Sequence, residues 1–248
     1  TGILGGISAS NALLFNSAAD GAQSITQLAD GSMVLVNPDW GSNRGYVRVV
    51  PFNTDFATTV QGQLSAVSAA NSLVGVTTGS GSTGDRVGGL GITDLGGGGF
   101  IIKSNGNGNN AYTWSSSSSH TIGSLGVSNS LYGASNVRAL ADGGSVTYGG
   151  SHFKYVTAGT TGASIAGNLS SIGVAGSVTR VDDLGNGYWA MSVSGSFSSN
   201  AQSLLWGGPT ILRNSVSSAD VIVGDNTVFA LGGNTFAAAL PGWNNNAG

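Results

Sequence analysis

The chain holds 248 residues, 40% of them hydrophobic and only 8% charged, with a formal net charge of −3 and no cysteine. That length and apolar content allow one large domain with a substantial core, while the missing thiols exclude disulfides and thiolate metal sites. The slight acidity provides no electrostatic footprint for nucleic acid, and no apolar run reaches the ~18 residues of a membrane-spanning helix.

Apolar residues come in short runs from the N-terminus onward. Met33-Val34-Leu35-Val36, Tyr46-Val47-Arg48-Val49-Val50, Phe100-Ile101-Ile102 and Tyr188-Trp189-Ala190-Met191 are each bounded by Gly, Asn, Asp or Ser. This is the pattern of strands separated by turns. Helix formers are scarce: there is no Glu, all 11 acids are Asp, and the bases are six Arg and two Lys. The 43 glycines follow no three-residue period, which excludes collagen. Phe56–Ala70 has the most helical look, but Thr58, Thr59 and Val60 and the lack of a cap favour a strand pair. The chain reads as all-β.

The runs also repeat. Ile25-Thr26-Gln27-Leu28-Ala29-Asp30-Gly31 matches Val137-Arg138-Ala139-Leu140-Ala141-Asp142-Gly143, and Ile92-Thr93-Asp94-Leu95-Gly96 matches Val181-Asp182-Asp183-Leu184-Gly185. Val221-Ile222-Val223-Gly224-Asp225-Asn226 is a weaker fifth copy. A second element precedes each: Asn11-Ala12-Leu13-Leu14, Asn71-Ser72-Leu73-Val74-Gly75 and Asn129-Ser130-Leu131-Tyr132-Gly133, with looser echoes at Asn168–Gly173 and Asn214-Ser215-Val216. Repeats of roughly 40–50 residues with several short strands each are the sign of propeller blades. One sheet cannot bury both of its faces, whereas sheets arranged radially cover one another. The expectation is a single repeat domain over 1–248, a β-propeller of about five blades closed by the N-terminal segment; the alternative is a β-solenoid.

Two known repeat types share motifs with this chain. Gly84-Asp85-Arg86-Val87-Gly88, placed before a strand, resembles the FG-GAP turn of integrin-like propellers. Val67-Ser68-Ala69-Ala70-Asn71-Ser72-Leu73-Val74-Gly75, Val36-Asn37-Pro38-Asp39-Trp40 and Ala111-Tyr112-Thr113-Trp114 look closer to repeats of large secreted bacterial proteins of the filamentous-haemagglutinin type. The match covers about 25–150 and is faint beyond. It implies a bladed β-module of an exported surface protein, without enzymatic activity. The D-x-D-x-D-G calcium loop of integrin-like blades is missing, which speaks against a metal.

Candidate chemistry is thin. Gly79–Gly88 lacks the Gly-Lys-Ser/Thr and following helix of a phosphate loop, so Asp85 is expected to cap backbone amides and Arg86 to cover a sheet edge. Asp182-Asp183 is the one acidic pair, and neighbours on a strand point to opposite faces. His120 and His152 stand without partner motifs. No cofactor, metal or catalytic residue is assigned. Trp114 and Trp189 are expected in the core. Asp39-Trp40 and Trp243-Asn244 combine an aromatic platform with hydrogen-bonding side chains and are the candidate glycan contacts. Thr1 in place of Met reads as a processed start or a segment of a longer protein. The functional expectation is an extracellular or cell-surface structural or adhesive module that associates with itself through its weakly charged surface. A glycan-binding propeller is the alternative.

Overall fold

The computed structural model describes residues 13–51, 62–79, 84–105, 110–169, 172–173, 177–194, 203–207, 222–223, 227–232 and 235–239. The chain divides into two compact units, Thr1–Ser130 with Thr161–Ala166, and Leu131–Thr160 with Gly167–Gly248.

The first unit contains β1 (Leu13–Leu14), β2 (Ser24–Gln27), β3 (Met33–Asn37), β4 (Tyr46–Val50), β5 (Gly62–Gln63), β6 (Leu73–Val74), β7 (Gly91–Gly96), β8 (Gly99–Ser104), β9 (Ala111–Ser116) and β10 (Gly123–Ser124). Strands β2, β3, β4 and β6 form an antiparallel meander, and β10 adds to β6 in parallel. A second meander runs β7, β8, β9. The central strands are buried on both faces: Val34, Leu35 and Val36 in β3, and Phe100, Ile101 and Ile102 in β8, are at most 2% exposed. Continuous apolar runs, rather than alternating ones, follow from that double burial. The leading strands β2 and β7 contain no buried residue.

The second unit contains β11 (Leu131–Tyr132), β12 (Asn136–Ala139), β13 (Ser145–Gly149), β14 (His152–Val156), β15 (Gly167–Asn168), β16 (Ile172–Gly173), β17 (Ser177–Gly185), β18 (Tyr188–Ser194), β19 (Ser203–Gly207), β20 (Ile222–Val223), β21 (Thr227–Gly232) and β22 (Thr235–Ala239). Two four-stranded antiparallel sheets, β12-β13-β14-β16 and β17-β18-β19-β20, are followed by the hairpin β21-β22. Leu140, Val146 and Phe153 pack with Val178, Val181, Trp189, Met191 and Val193 in one core. The rings of Phe153 and Trp189 meet edge to face at 5.3 Å. The fold is all-β, and none of the sheets closes into a barrel.

The repeated motifs occupy repeated places. Asp30, Asp94, Asp142 and Asp183 each lie at the first hairpin of a sheet. There the carboxylate accepts the N–H two residues on, from Ser32, Gly96, Gly144 and Gly185, at 2.8–2.9 Å. This is the side-chain-closed turn that Asp favours, and Gly31 and Gly143 supply the positive φ beside it. Asn71 and Asn129 are equivalent too. Their side-chain oxygens accept the N–H of Ser68 and Gly126 and the hydroxyls of Ser72 and Ser130.

A third repeated element escapes the motif comparison. Leu64, Leu125 and Leu169 donate their N–H to the carbonyls of Leu14, Val74 and Tyr132 at 2.7–2.8 Å. Each closes a two-residue parallel pairing: β1 with β5, β6 with β10, and β11 with β15. The shared signal is Gly-x-Leu, at Gly62, Gly123 and Gly167.

Of Phe56–Ala70, residues 56–61 lie outside the described residues, and the part from Gly62 onward holds the two-residue strand β5 followed by an Asn71-anchored turn. Two expectations need correction. Asn168 sits in β15 and not in the place of Asn71, and Ile172–Gly173 alone is the outer strand of its sheet. Ile222–Val223 is not the leading strand of a fifth copy. It pairs with β19 as the fourth strand of the preceding sheet, matching Leu73–Val74. Asn11, Asn214 and Asp225 lie outside the described residues.

Candidate functional site

Asp39 and Trp40 lie where β3 turns back into β4, at the start of a helical segment, Trp40–Asn43, that winds left-handed through Gly41, Ser42 and Asn43 at φ of 60°, 63° and 64°. Non-glycine residues seldom adopt this conformation. It is held here because the carbonyls of Ser42, Asn43, Arg44 and Gly45 accept backbone N–H groups of Gly79, Arg86, Val87 and Gly75. The Asn43 side chain adds a bond to the Gly79 carbonyl at 2.7 Å.

The half-buried Trp40 directs its indole N–H to the Asp20 carboxylate at 3.1 Å. The Arg44 guanidinium sits 4.7 Å from the centre of its ring, a cation–π distance, and Tyr46 meets it edge to face at 6.1 Å. Asp39 is exposed and receives two groups: the Arg86 guanidinium at 2.9 Å and the Gln23 amide at 2.9 Å. The structure therefore brings Asp39 and Trp40 together with Asp20, Gln23, Arg44 and Arg86, which come from distant parts of the sequence. Trp243 and Asn244 lie outside the described residues.

Beside this cluster, the Gly84–Gly88 turn has the structural role expected of it. Asp85, 3% exposed, accepts the N–H groups of Val76 and Thr77 at 2.6 and 2.8 Å. Close approach makes the glycines obligatory. A Cβ on Gly84 or Gly75 would fall 2.2 Å from the Asn43 carbonyl oxygen or 2.1 Å from that of Arg44. The described part of the turn is a close backbone-to-backbone packing.

Underneath, the Tyr46 hydroxyl donates to the Asp20 carbonyl at 2.5 Å. Burial, with the Asp20 charge adding to it, pushes its pKa up to about 12 against the opposing effect of Arg48. On β8, burial lowers the pKa of Lys103. Trp114 and Trp189 are in the core, 1% and 4% exposed. The His152 Nδ1 lies 3.3 Å from the Ser151 hydroxyl. Asp182 pairs with Arg180 at 2.7 Å, while Asp183 turns to its own hairpin.

Among the described residues no three His, Cys, Asp or Glu side chains gather as a metal site, and no helix is long and apolar enough to cross a membrane. Comparison with family models, with curated proteins and with solved structures finds no match.

Proposed function

We propose that the chain is a non-enzymatic structural or adhesive module of an extracellular or cell surface, built as a β-propeller of about five blades and associating with copies of itself. One observation carries this reading: each of the eight described aspartates is engaged in holding the scaffold. Asp30, Asp85, Asp94, Asp142 and Asp183 bind backbone N–H groups. Asp20 holds the Trp40 indole, Asp39 the side chains of Gln23 and Arg86, and Asp182 that of Arg180. In a chain without Glu, these are the described carboxylates on which acid–base chemistry by Asp would draw.

The bladed architecture is supported by the repeated sheets and by β1. That strand carries the Asn-x-Leu-Leu version of the motif found at β6 and β11, and it pairs with β5 as β6 pairs with β10. In a ring closed by its N-terminal segment, β1 would serve as the outer strand of a sheet whose other strands come from elsewhere in the chain. Self-association rests on the sparse charge, since mutual repulsion between copies is weak. Sedimentation velocity over a hundredfold concentration range, with negative-stain imaging, tests it. Concentration-dependent oligomers or fibres are expected, and a monomer at every concentration and salt level sinks the assembly.

A glycan-binding reading rests on the exposed Asp39 and Gln23 side chains and the partly exposed Arg86 beside Trp40. In a glycan array it requires binding that Trp40→Ala abolishes; an array without signal removes it.

A further inference from the structure

We infer that Asp94 and Asp183 are staples that join the sheets of this chain in pairs, so that each pair opens as one unit. This goes beyond the proposed surface role and does not rest on it. Each carboxylate spans two hairpins. In the first unit, Asp94 accepts the Gly96 N–H of its own hairpin at 2.8 Å with one oxygen and the Ala29 N–H of the β2-β3 hairpin at 3.1 Å with the other. In the second unit, Asp183 accepts the Gly185 N–H at 2.9 Å and the Ala141 N–H of the β12-β13 hairpin at 2.8 Å.

The two arrangements match residue for residue. In both, the donor is an Ala that follows Leu and precedes the Asp closing its own turn, Asp30 or Asp142. The stapling residue is in both an Asp followed by Leu-Gly. Within the second unit the stapled sheets also share a core, in which Leu140, Val146 and Phe153 of one meet Val181, Trp189 and Met191 of the other. Within the first, a backbone bridge joins Gly45 to Val87, and the β3 and β4 side chains Val36 and Val47 close over Gly88. The two sheets of each pair thus have different parts: the one earlier in sequence presents an N–H, and the later one presents a carboxylate.

A carboxylate is suited to this because both of its oxygens accept. Asn keeps one acceptor and turns an N–H₂ toward the second N–H, so the substitution breaks one arm while preserving shape. The test is amide hydrogen exchange read by mass spectrometry on the full chain, comparing wild type with Asp94→Asn and Asp183→Asn. Asp94→Asn is expected to speed exchange in β2–β4 and β7–β9 together, about tenfold or more, with β12–β14 and β17–β19 unchanged. Asp183→Asn is expected to do the reverse. Acceleration confined to one hairpin, or spread equally over the whole chain, overturns the inference. Should a variant fail to fold, the wild type still decides, by exchange in graded denaturant. The amides of β2–β4 and β7–β9 are expected to converge on one opening energy, and those of β12–β14 and β17–β19 on another. Separate values for each sheet, or one value for all, sink it.

Discussion

The hydroxyl of Tyr46, on β4, donates to the backbone carbonyl of Asp20 and ties the segment before β2 to the centre of the first sheet. Both groups are buried, so the bond is shielded from competing water. Tyr46→Phe keeps the ring packed against Trp40 and removes only this bond. The expected cost is about 1 kcal/mol, read as a fall in Tm of about 2–4 °C. The same residue predicts an alkaline limit. Its folded pKa of about 12 lies above the ordinary 10.0, so the unfolded chain releases this proton first. Its contribution is complete below pH 10 and lost as pH rises toward 12. Tyr46→Phe is expected to flatten the decline of Tm over that window; an unchanged slope contradicts the assignment.

Gly75 stands where two backbone segments touch. An added Cβ would lie 2.1 Å from the Arg44 carbonyl oxygen and 2.8 Å from the Asp85 Cβ. Neither neighbour is a flexible side-chain end. Gly75→Ala is expected to cost about 3 kcal/mol or more, at or above the upper end for overpacking. At Gly126 the added Cβ meets nothing within 4 Å, and Gly126→Ala is expected to be neutral or slightly stabilising. Thermal melts of the two variants decide this, and equal losses would contradict the close approach.

Trp189 is 4% exposed, and its indole N–H has no hydrogen-bond partner among the described residues. An unmet buried donor costs about 1–3 kcal/mol. Trp189→Phe removes it at the expense of lost volume, while an aromatic edge remains for Phe153. The two effects oppose each other, so the net change in denaturant unfolding is expected to stay within about 1 kcal/mol, well short of the 3–5 kcal/mol of a truncation to Ala. A loss comparable to truncation would show that the indole N–H is bonded.

Asp30 predicts an acid limit. Slight burial raises its pKa, but the Ser117 hydroxyl and the bonds from Ser32 outweigh this and hold the carboxyl below the ordinary 3.8. A lowered folded pKa means a contribution present above 3.8 and lost as pH falls through the folded value. Asp30→Asn is expected to reduce the dependence of Tm on pH below about pH 4. A dependence as steep as that of wild type would remove Asp30 from the account.

What the sequence by itself determined is local. Asp-Gly turns, Asn-Ser caps and short apolar runs are set by neighbours within about five residues, and β3, β4, β8 and β18 lie where those runs place them. The Asp of each first hairpin was legible because it closes its own turn. The two-residue strands β5, β10 and β15 were not: two residues show no alternation, and the bonds of Leu64, Leu125 and Leu169 to partners 37 to 51 residues away reveal them. Asn168 and Ile222 were misplaced for the same reason, since a short apolar pair reads alike in the leading and the outer strand. The surroundings of Asp39 and Trp40, and the second arms of Asp94 and Asp183, were decided by tertiary structure alone. Which donor meets a carboxylate's second oxygen depends on how separate hairpins come to lie together, and no periodicity along the chain encodes that.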